Sequence, residues 1–509
     1  TSGSDISVLA TGSTTPRTLA ARAADVVRAA DYGVKCDGTT DDGAKLQAFF
    51  NAITAGKQGV LPSGTCLFST PLTYANANTE LLGVGMYATT LLYTGASATA
   101  DLMTVTAAAS RLGGFKIDSN TTMTGGSALK LYSQTGKVVG HVEIHDVTLS
   151  GQYGLHRIWN GFELWDTDFV LLNGFDIQAQ NDGIRISGGG AGSALPQYDF
   201  WASGGKVGGS AVGIHVGGGW DNAYFDNGML TNNGTNVLVD TTIQSQPNQE
   251  LFFGSRLVTD QALTGDNYVV DDSLANPTHY CTVSISGPVT HSNHGNGIHV
   301  KNWPGCQLIV HSPYITSNNQ SGVLVDDAST YVNIGAATAI YGNGGYGLFE
   351  SFPSTRVQSA GNATGNTAGN YNANVGGAFA VPLKITTSGS VAPASGAFSL
   401  SIINTDTTGG GANPPDTAAV TFGTPSQPAK ASVVAGTQGL DYIALATGNN
   451  TERVRVTQTS ASAATLTPSA GQTVALGSSS NPFGAAYVTT LSLASPPASA
   501  DNSNAVAST

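Results

Sequence analysis

The chain has 509 residues, 65 of them glycine, with 10% charged residues and a formal net charge of −13. The acidic balance argues against a nucleic-acid partner, which needs a basic face, and mildly disfavours a strongly anionic polymer substrate. Aromatic and β-branched residues are too frequent for disorder, no apolar run approaches a membrane span, and no secretory signal is read.

In chain order, residues 1–30 read as a neck or linker helix, with Arg17 to Val27 helix-prone. The first residues start mid-composition, as if the amino end were trimmed. Residues 31–140 read as an amino-terminal cap and the first coils of a solenoid. Thr39-Thr40-Asp41-Asp42 offers helix-capping side chains, and Leu46, Phe49, Phe50 and Ile53 then fall on one apolar helical stripe. Asp41 and Asp42 are assigned to that helix start, not to catalysis. Cys36 and Cys66 lie close enough in sequence to approach each other, but free buried cysteines are the favoured reading.

Here the residues carry a resemblance. Asp31-Tyr32-Gly33-Val34-x-x-Asp37-Gly38-x-x-Asp41-Asp42, Leu46-Gln47-x-Phe49 and Leu61-Pro62-Ser63-Gly64-Thr65 resemble the opening of the pectate-lyase-like right-handed β-helix superfamily. Just before it, Thr11-Gly12-Ser13-Thr14-Thr15-Pro16-Arg17-Thr18-Leu19-Ala20 resembles the neck of bacteriophage tailspikes. The resemblance implies a virion-attached protein acting on a bacterial surface polysaccharide, homotrimeric, and joined to the phage tail through its amino-terminal part.

Residues 141–376 hold a loose repeat that supports the same fold independently. Alternating strands begin at Val142, Phe162, Tyr198, Ala223, Leu251, Cys281, Gln307 and Tyr331, at intervals of 20, 36, 25, 28, 30, 26 and 24 residues. Between them run Asn/Gly-rich turns and strands such as Gly183-Ile184-Arg185-Ile186, Gly213-Ile214-His215-Val216 and Gly297-Ile298-His299-Val300. Period-2 strands repeated at this spacing predict a parallel β-helix, so the fold class is all-β. Residues 377–509 lose the repeat. Strands Phe398–Ile402, Ala418–Phe422 and Tyr442–Leu445 between Pro/Gly clusters predict a β-sandwich-like domain for trimerisation or carbohydrate binding. Asn450 to Val456 and Leu476 to Phe483 resemble segments near the ends of phage tail fibres, which implies a trimer-forming tail.

Strand alternation predicts one inward column of Ile144, Leu164, Phe200 and Phe225. Outward columns would then stack Glu143, Glu163, Asp199 and Tyr224 beside His145, Trp165, Trp201 and Asp226, with residues 166–197 as one long excursion. Paired carboxylates next to exposed rings suit an endo-acting glycosidase, where sugar faces stack on the rings and two carboxyl groups share acid and base work. The predicted catalytic residues are Glu163, Asp199 and Asp226, with Trp165, Trp201, Tyr224 and His145 binding substrate. An alternative set, Glu250, Asp271 and Asp272 followed by His294-Gly295, His299 and Lys301, is similar in order to the acidic pairs of polygalacturonases. His291, His294 and His299 read as turn histidines, so neither metal nor cofactor is expected. A lyase acting on uronic acids and a non-catalytic adhesin are the other functional readings.

Overall fold

The computed structural model describes residues 6–371, apart from 135–137, 151–156, 189–198, 218–221, 241–247, 272–279, 293, 302–306, 328–329, 353–356 and 360–361, together with strands between 417 and 468. The chain divides into two compact units, Thr1–Ile385 and Thr386–Thr509. The first is a right-handed parallel β-solenoid. Each coil contributes to three sheets in turn, here sheets I, II and III. Sheet I has twelve parallel strands running from Leu72–Tyr74 to Gly369–Tyr371. Sheets II and III are joined where Arg111–Ser119, Val139–Ser150 and Thr167–Gln178 pass through both.

The strand pattern follows from alternation. Asn222–Asp226 reads half-buried, buried, half-buried, buried, half-buried along its length. Its buried residues join columns that run through the solenoid core. In sheet II one column passes through Ile144, Leu172, Ala202, Phe225, Phe253 and Ile285. The Phe225 and Phe253 rings stack at 5.4 Å. Such ladders combine apolar burial with favourable ring geometry.

Two devices turn the chain, one in the earlier coils and one in the later. Between sheets II and III one residue takes left-handed backbone geometry, with φ of 70° at Gly114, 51° at Asp146, 62° at Gly174, 71° at Gly204 and 52° at Asn227. Glycine, Asn and Asp tolerate that conformation best. Between sheets III and I, buried asparagines hand hydrogen bonds along the axis: Asn236 Nδ2 to Asn267 Oδ1 (2.6 Å), Asn267 to Asn318 (3.0 Å), Asn318 to Asn343 (2.9 Å) and Asn343 to Asn366 (2.8 Å). The Asn-rich turns of the sequence are this ladder.

The register corrects the predicted columns. Ile144 and Phe225 do share a column, but Phe200 belongs to the neighbouring inward column, opposite Val170 and Ala223. Leu164 lies in sheet I, opposite Leu131 and Ile186. The 36-residue interval is not one coil, because Thr167–Gln178 is a full strand of sheets II and III inside it. Val142 and Phe162, conversely, open two strands of different sheets, so their 20-residue spacing is not a coil either. Sheets I and II have the same period, and nothing in alternation says which sheet a strand joins.

At the amino end, helix Gly43–Ala52 buries Leu46, Phe49 and Phe50. The Phe50 ring meets Tyr74, on the first strand of sheet I, edge-on at 5.6 Å. Asp41 caps the helix through the Gly43 amide at 2.9 Å. Asp42 is fully buried and turns back to accept from the amides of Lys35 and Cys36. Cys36 and Cys66 form a disulfide, against the reading of free thiols. Their Cα atoms are 3.7 Å apart because the Cys36 segment lies directly against strand Gly64–Phe68.

The second unit shows an antiparallel meander of five strands from Thr417–Thr424 to Ala463–Pro468. The described residues of this unit form a single sheet, and a second sheet of a sandwich is not among them. Phe398–Ile402 and Leu476–Phe483 lie outside them.

Candidate active site

The outward face of sheet I carries a row of polar side chains in strands that are otherwise apolar. Thr104, Lys130, Glu163, Arg185 and His215 are register partners from coil to coil. Each occupies the one outward position between two inward apolar residues, as in Leu129-Lys130-Leu131 and Phe162-Glu163-Leu164. A second contact tightens the row at three of its four steps, Asn160 being the exception: a polar residue three places before the outward one meets the outward residue of the next coil. Asp101 Oδ2 lies 3.3 Å from Lys130 Nζ, Ser127 Oγ donates to Glu163 at 2.5 Å, and Asp182 Oδ2 lies 3.0 Å from His215 Nδ1.

Lys130 is the centre of this arrangement. Its ammonium is 3.3 Å from Asp101 and 3.7 Å from Glu163, so those two carboxylate oxygens are no more than about 7 Å apart. It also sits over the rings of Trp165 and Tyr132, at 5.0 and 5.5 Å from their centroids. A cleft of about 330 Å³ opens here, lined by Asp101, Thr104, Lys130, Tyr132 and Trp165. Glu163 lies beneath, 5% exposed. One coil further, Asp182, 1% exposed, accepts from Arg185 at 2.6 Å as well as meeting His215. Asp101, Lys130 and the two rings give the cleft a polar and aromatic lining that can bind a sugar, while Glu163 is paired to the same ammonium outside that lining.

The predicted site residues are distributed otherwise than expected. Glu163 and Trp165 are on sheet I, whereas Asp199, Trp201, Tyr224 and Asp226 belong to sheet II. The pairing of Glu163 with Asp199 in one column is therefore not made. Asp226 forms a surface ion pair with Arg256 at 2.9 Å. Its partial burial favours the neutral acid, but hydrogen bonds from Arg256 and the amide of Asn227 outweigh that and hold the carboxyl below its ordinary range. That is the wrong direction for a proton donor. Asp199 accepts from Asn222 at 3.1 Å. Trp201, Tyr224 and Phe252 stack on one another, at 4.1 and 4.7 Å, so Tyr224 has rings on both faces. His145 lies before the bend to sheet III, largely buried, with Nδ1 3.1 Å from Asp146.

The alternative set is also divided. Glu250 is on sheet II, opposite Asn222, while Asp271 is on sheet I, opposite Lys301, and Asp272 lies outside the described residues. His294 Nδ1 donates to the Leu263 carbonyl at 2.6 Å, and His291 lies 2.9 Å from Asp260. His299 bridges Asp266 and Asp326, at 2.8 and 2.9 Å. No group of three potential ligands suited to a metal occurs among the described residues.

Comparison with known proteins agrees on the fold. A family model described as Rhamnogalacturonase A/epimerase, pectate lyase-like, matches residues 26–240, which include the whole Lys130 cluster. No curated protein matches the chain. Among solved structures, the A-module of the mannuronan C-5 epimerase AlgE4 of Azotobacter vinelandii is similar, with a TM-score of 0.50 and 14% identity over 68% of this chain and 97% of that one. So is tailspike protein 3 of bacteriophage CBA120, with a TM-score of 0.52 and 14% identity over 72% of this chain and 56% of that one. Identities this low establish a shared scaffold. The chain thus has a parallel β-helix, a scaffold shared with the epimerase module and the tailspike, and the pectate-lyase-like family model matches part of it.

Proposed function

We propose that the protein is an endo-acting polysaccharide depolymerase of the tailspike kind, a homotrimer on a phage tail that cuts a bacterial surface polysaccharide by hydrolysis. The observation that carries this reading is the sheet I cleft, lined by Asp101, Lys130, Tyr132 and Trp165, with the buried Glu163 paired to the same Lys130. Sugar faces stack on the two rings, and Lys130 offsets the repulsion between the carboxylates. One carboxyl protonates the leaving oxygen and the other takes a proton from the attacking water, so one water is added across each bond cut. Glu163 keeps the catalytic role read from the sequence, and Asp101 replaces Asp199 and Asp226 as its partner.

Incubating host-surface polysaccharide with the protein and following its size by exclusion chromatography tests the reading. A shift to oligosaccharides whose masses include one added water per cut is expected. Unchanged polymer that still binds the protein would instead mark an adhesin.

A further inference from the structure

Resting on that reading, we infer that the sheet I cleft takes an uncharged polysaccharide, one without uronic acids. The argument is a charge count along the face. The lysines and arginines of the sheet I strands are Lys130, Arg185 and Lys301. In the cleft both cations are already engaged: Lys130 by Asp101 and Glu163, Arg185 by the buried Asp182. The His215 ring shares that same Asp182. Three carboxylates thus answer two permanent cations.

Further along the face Asp240 and Asp271 are register neighbours, and Asp271 in turn faces Lys301. Asp266 and Asp326 add two more carboxylates, with His299 between them. The remaining segments of the chain between 151 and 306 outside the described residues contain neither lysine nor arginine. A polyanion laid along this face would meet net negative charge and displace an existing ion pair at Lys130 and at Arg185.

The same count selects the chemistry. Elimination removes the proton next to a uronate carboxylate, and the charge that develops needs a cation free to receive it. Lys130 and Arg185 are each held by carboxylates instead. Hydrolysis of a neutral glycoside needs no such cation. It needs two carboxyl groups and a surface for the sugar, which Asp101, Glu163, Trp165 and Tyr132 provide.

The test applies the unmodified protein, in brief contact at low temperature so that turnover is slow, to an array of immobilised bacterial polysaccharides with and without uronic acids, read at low and high salt. Binding confined to uronate-free glycans, and changing less than about twofold between the two salt levels, is expected, since no net charge pairing forms on binding. Binding to uronate-containing glycans that weakens with salt would overturn the inference. So would unsaturated uronate ends in a digest by the unmodified protein. Binding to no glycan on the array would instead sink the depolymerase reading itself. Asp182→Asn supplies an independent arm, because it releases Arg185. This variant, once its melting curve shows it folded, should gain binding to uronate-containing glycans at least about tenfold, and a folded variant with no gain counts against the charge argument.

Discussion

The outward faces of sheets I and II are built from strands of the same period, yet they do opposite work. On sheet II the outward column Trp201, Tyr224, Phe252 is stacked on itself at 4.1 and 4.7 Å, which covers both faces of Tyr224 and one face each of Trp201 and Phe252. On sheet I the outward row alternates charge from coil to coil, and its rings, Trp165 and Tyr132, meet at a tilt of 56° and 6.2 Å with a lysine over both. A flat ladder stabilises the coils by ~1 kcal/mol per ring pair. A tilted pair beside a cleft leaves ring surface for something else. The lesson is that exposure alone does not identify a sugar platform. Trp201 is 45% exposed and Trp165 37%, yet the less exposed ring is the better candidate.

The largest expected effect separates the two faces by catalysis. Glu163→Gln and Asp101→Asn should each lower turnover at least about a hundredfold, the usual scale for a lost acid or base, with glycan binding retained. Asp226→Asn and Asp199→Asn should cleave at nearly the unmodified rate. Initial rates of reducing-end release decide the matter. A dead Asp226→Asn beside an active Glu163→Gln would move the active site to sheet II.

Binding comes next in size. Trp165→Ala should weaken oligosaccharide binding by about 1–2 kcal/mol, roughly tenfold in Kd, with the melting temperature little changed. Trp201→Ala should do the reverse, lowering melting stability by a similar amount through the lost stack on Tyr224 and leaving Kd unchanged. Titration calorimetry and thermal melts on both variants give the four numbers. Equal binding losses would mean that a ladder of stacked rings can serve as a platform after all.

How far the sequence carries this far depends on the kind of information each feature holds. The solenoid was legible from alternation and Asn/Gly turns, because both are local. Glu163 and Trp165 stood out for the same reason, a charge and a ring interrupting an apolar strand. Lys130, Arg185 and His215 carry the identical signal, charge or imidazole between two apolar residues, in Leu129-Lys130-Leu131, Ile184-Arg185-Ile186 and Ile214-His215-Val216. Alternation alone puts the sheet I strand Asn160–Trp165 in one series with the strands of sheet II. That merger hid the strand Thr167–Gln178 and placed Asp199 over Glu163. Sheet membership depends on which turn precedes a strand, and a left-handed Gly174 or Asp146 is not visible in a strand pattern. Asp101 and Asp182 were harder still. They sit at the start of the coil, and only the cross-coil bonds to Lys130 and His215 reveal their part.

The smallest effect concerns acid stability, and it contrasts two carboxylates held low for different reasons. Asp266, on the sheet I side, is largely buried, which alone would raise its pKa. Hydrogen bonds from His299 and from Asn296 prevail and hold it below its ordinary 3.8. Asp226, on sheet II, is also lowered, but it faces solvent and its partner Arg256 is 70% exposed. A carboxyl with a depressed folded value binds its proton more readily when unfolded. Its contribution is therefore present above the unfolded value near 3.8 and is lost as the pH falls through the lower folded value. Screening leaves little of this at Asp226. Between neutral pH and about pH 3, Asp266→Asn should flatten the fall in melting stability by on the order of 1 kcal/mol relative to the unmodified protein. Asp226→Asn should follow the unmodified curve. If both substitutions flatten the acid limb equally, burial on sheet I contributes nothing that a surface ion pair does not, and the electrostatic contrast between the two faces fails.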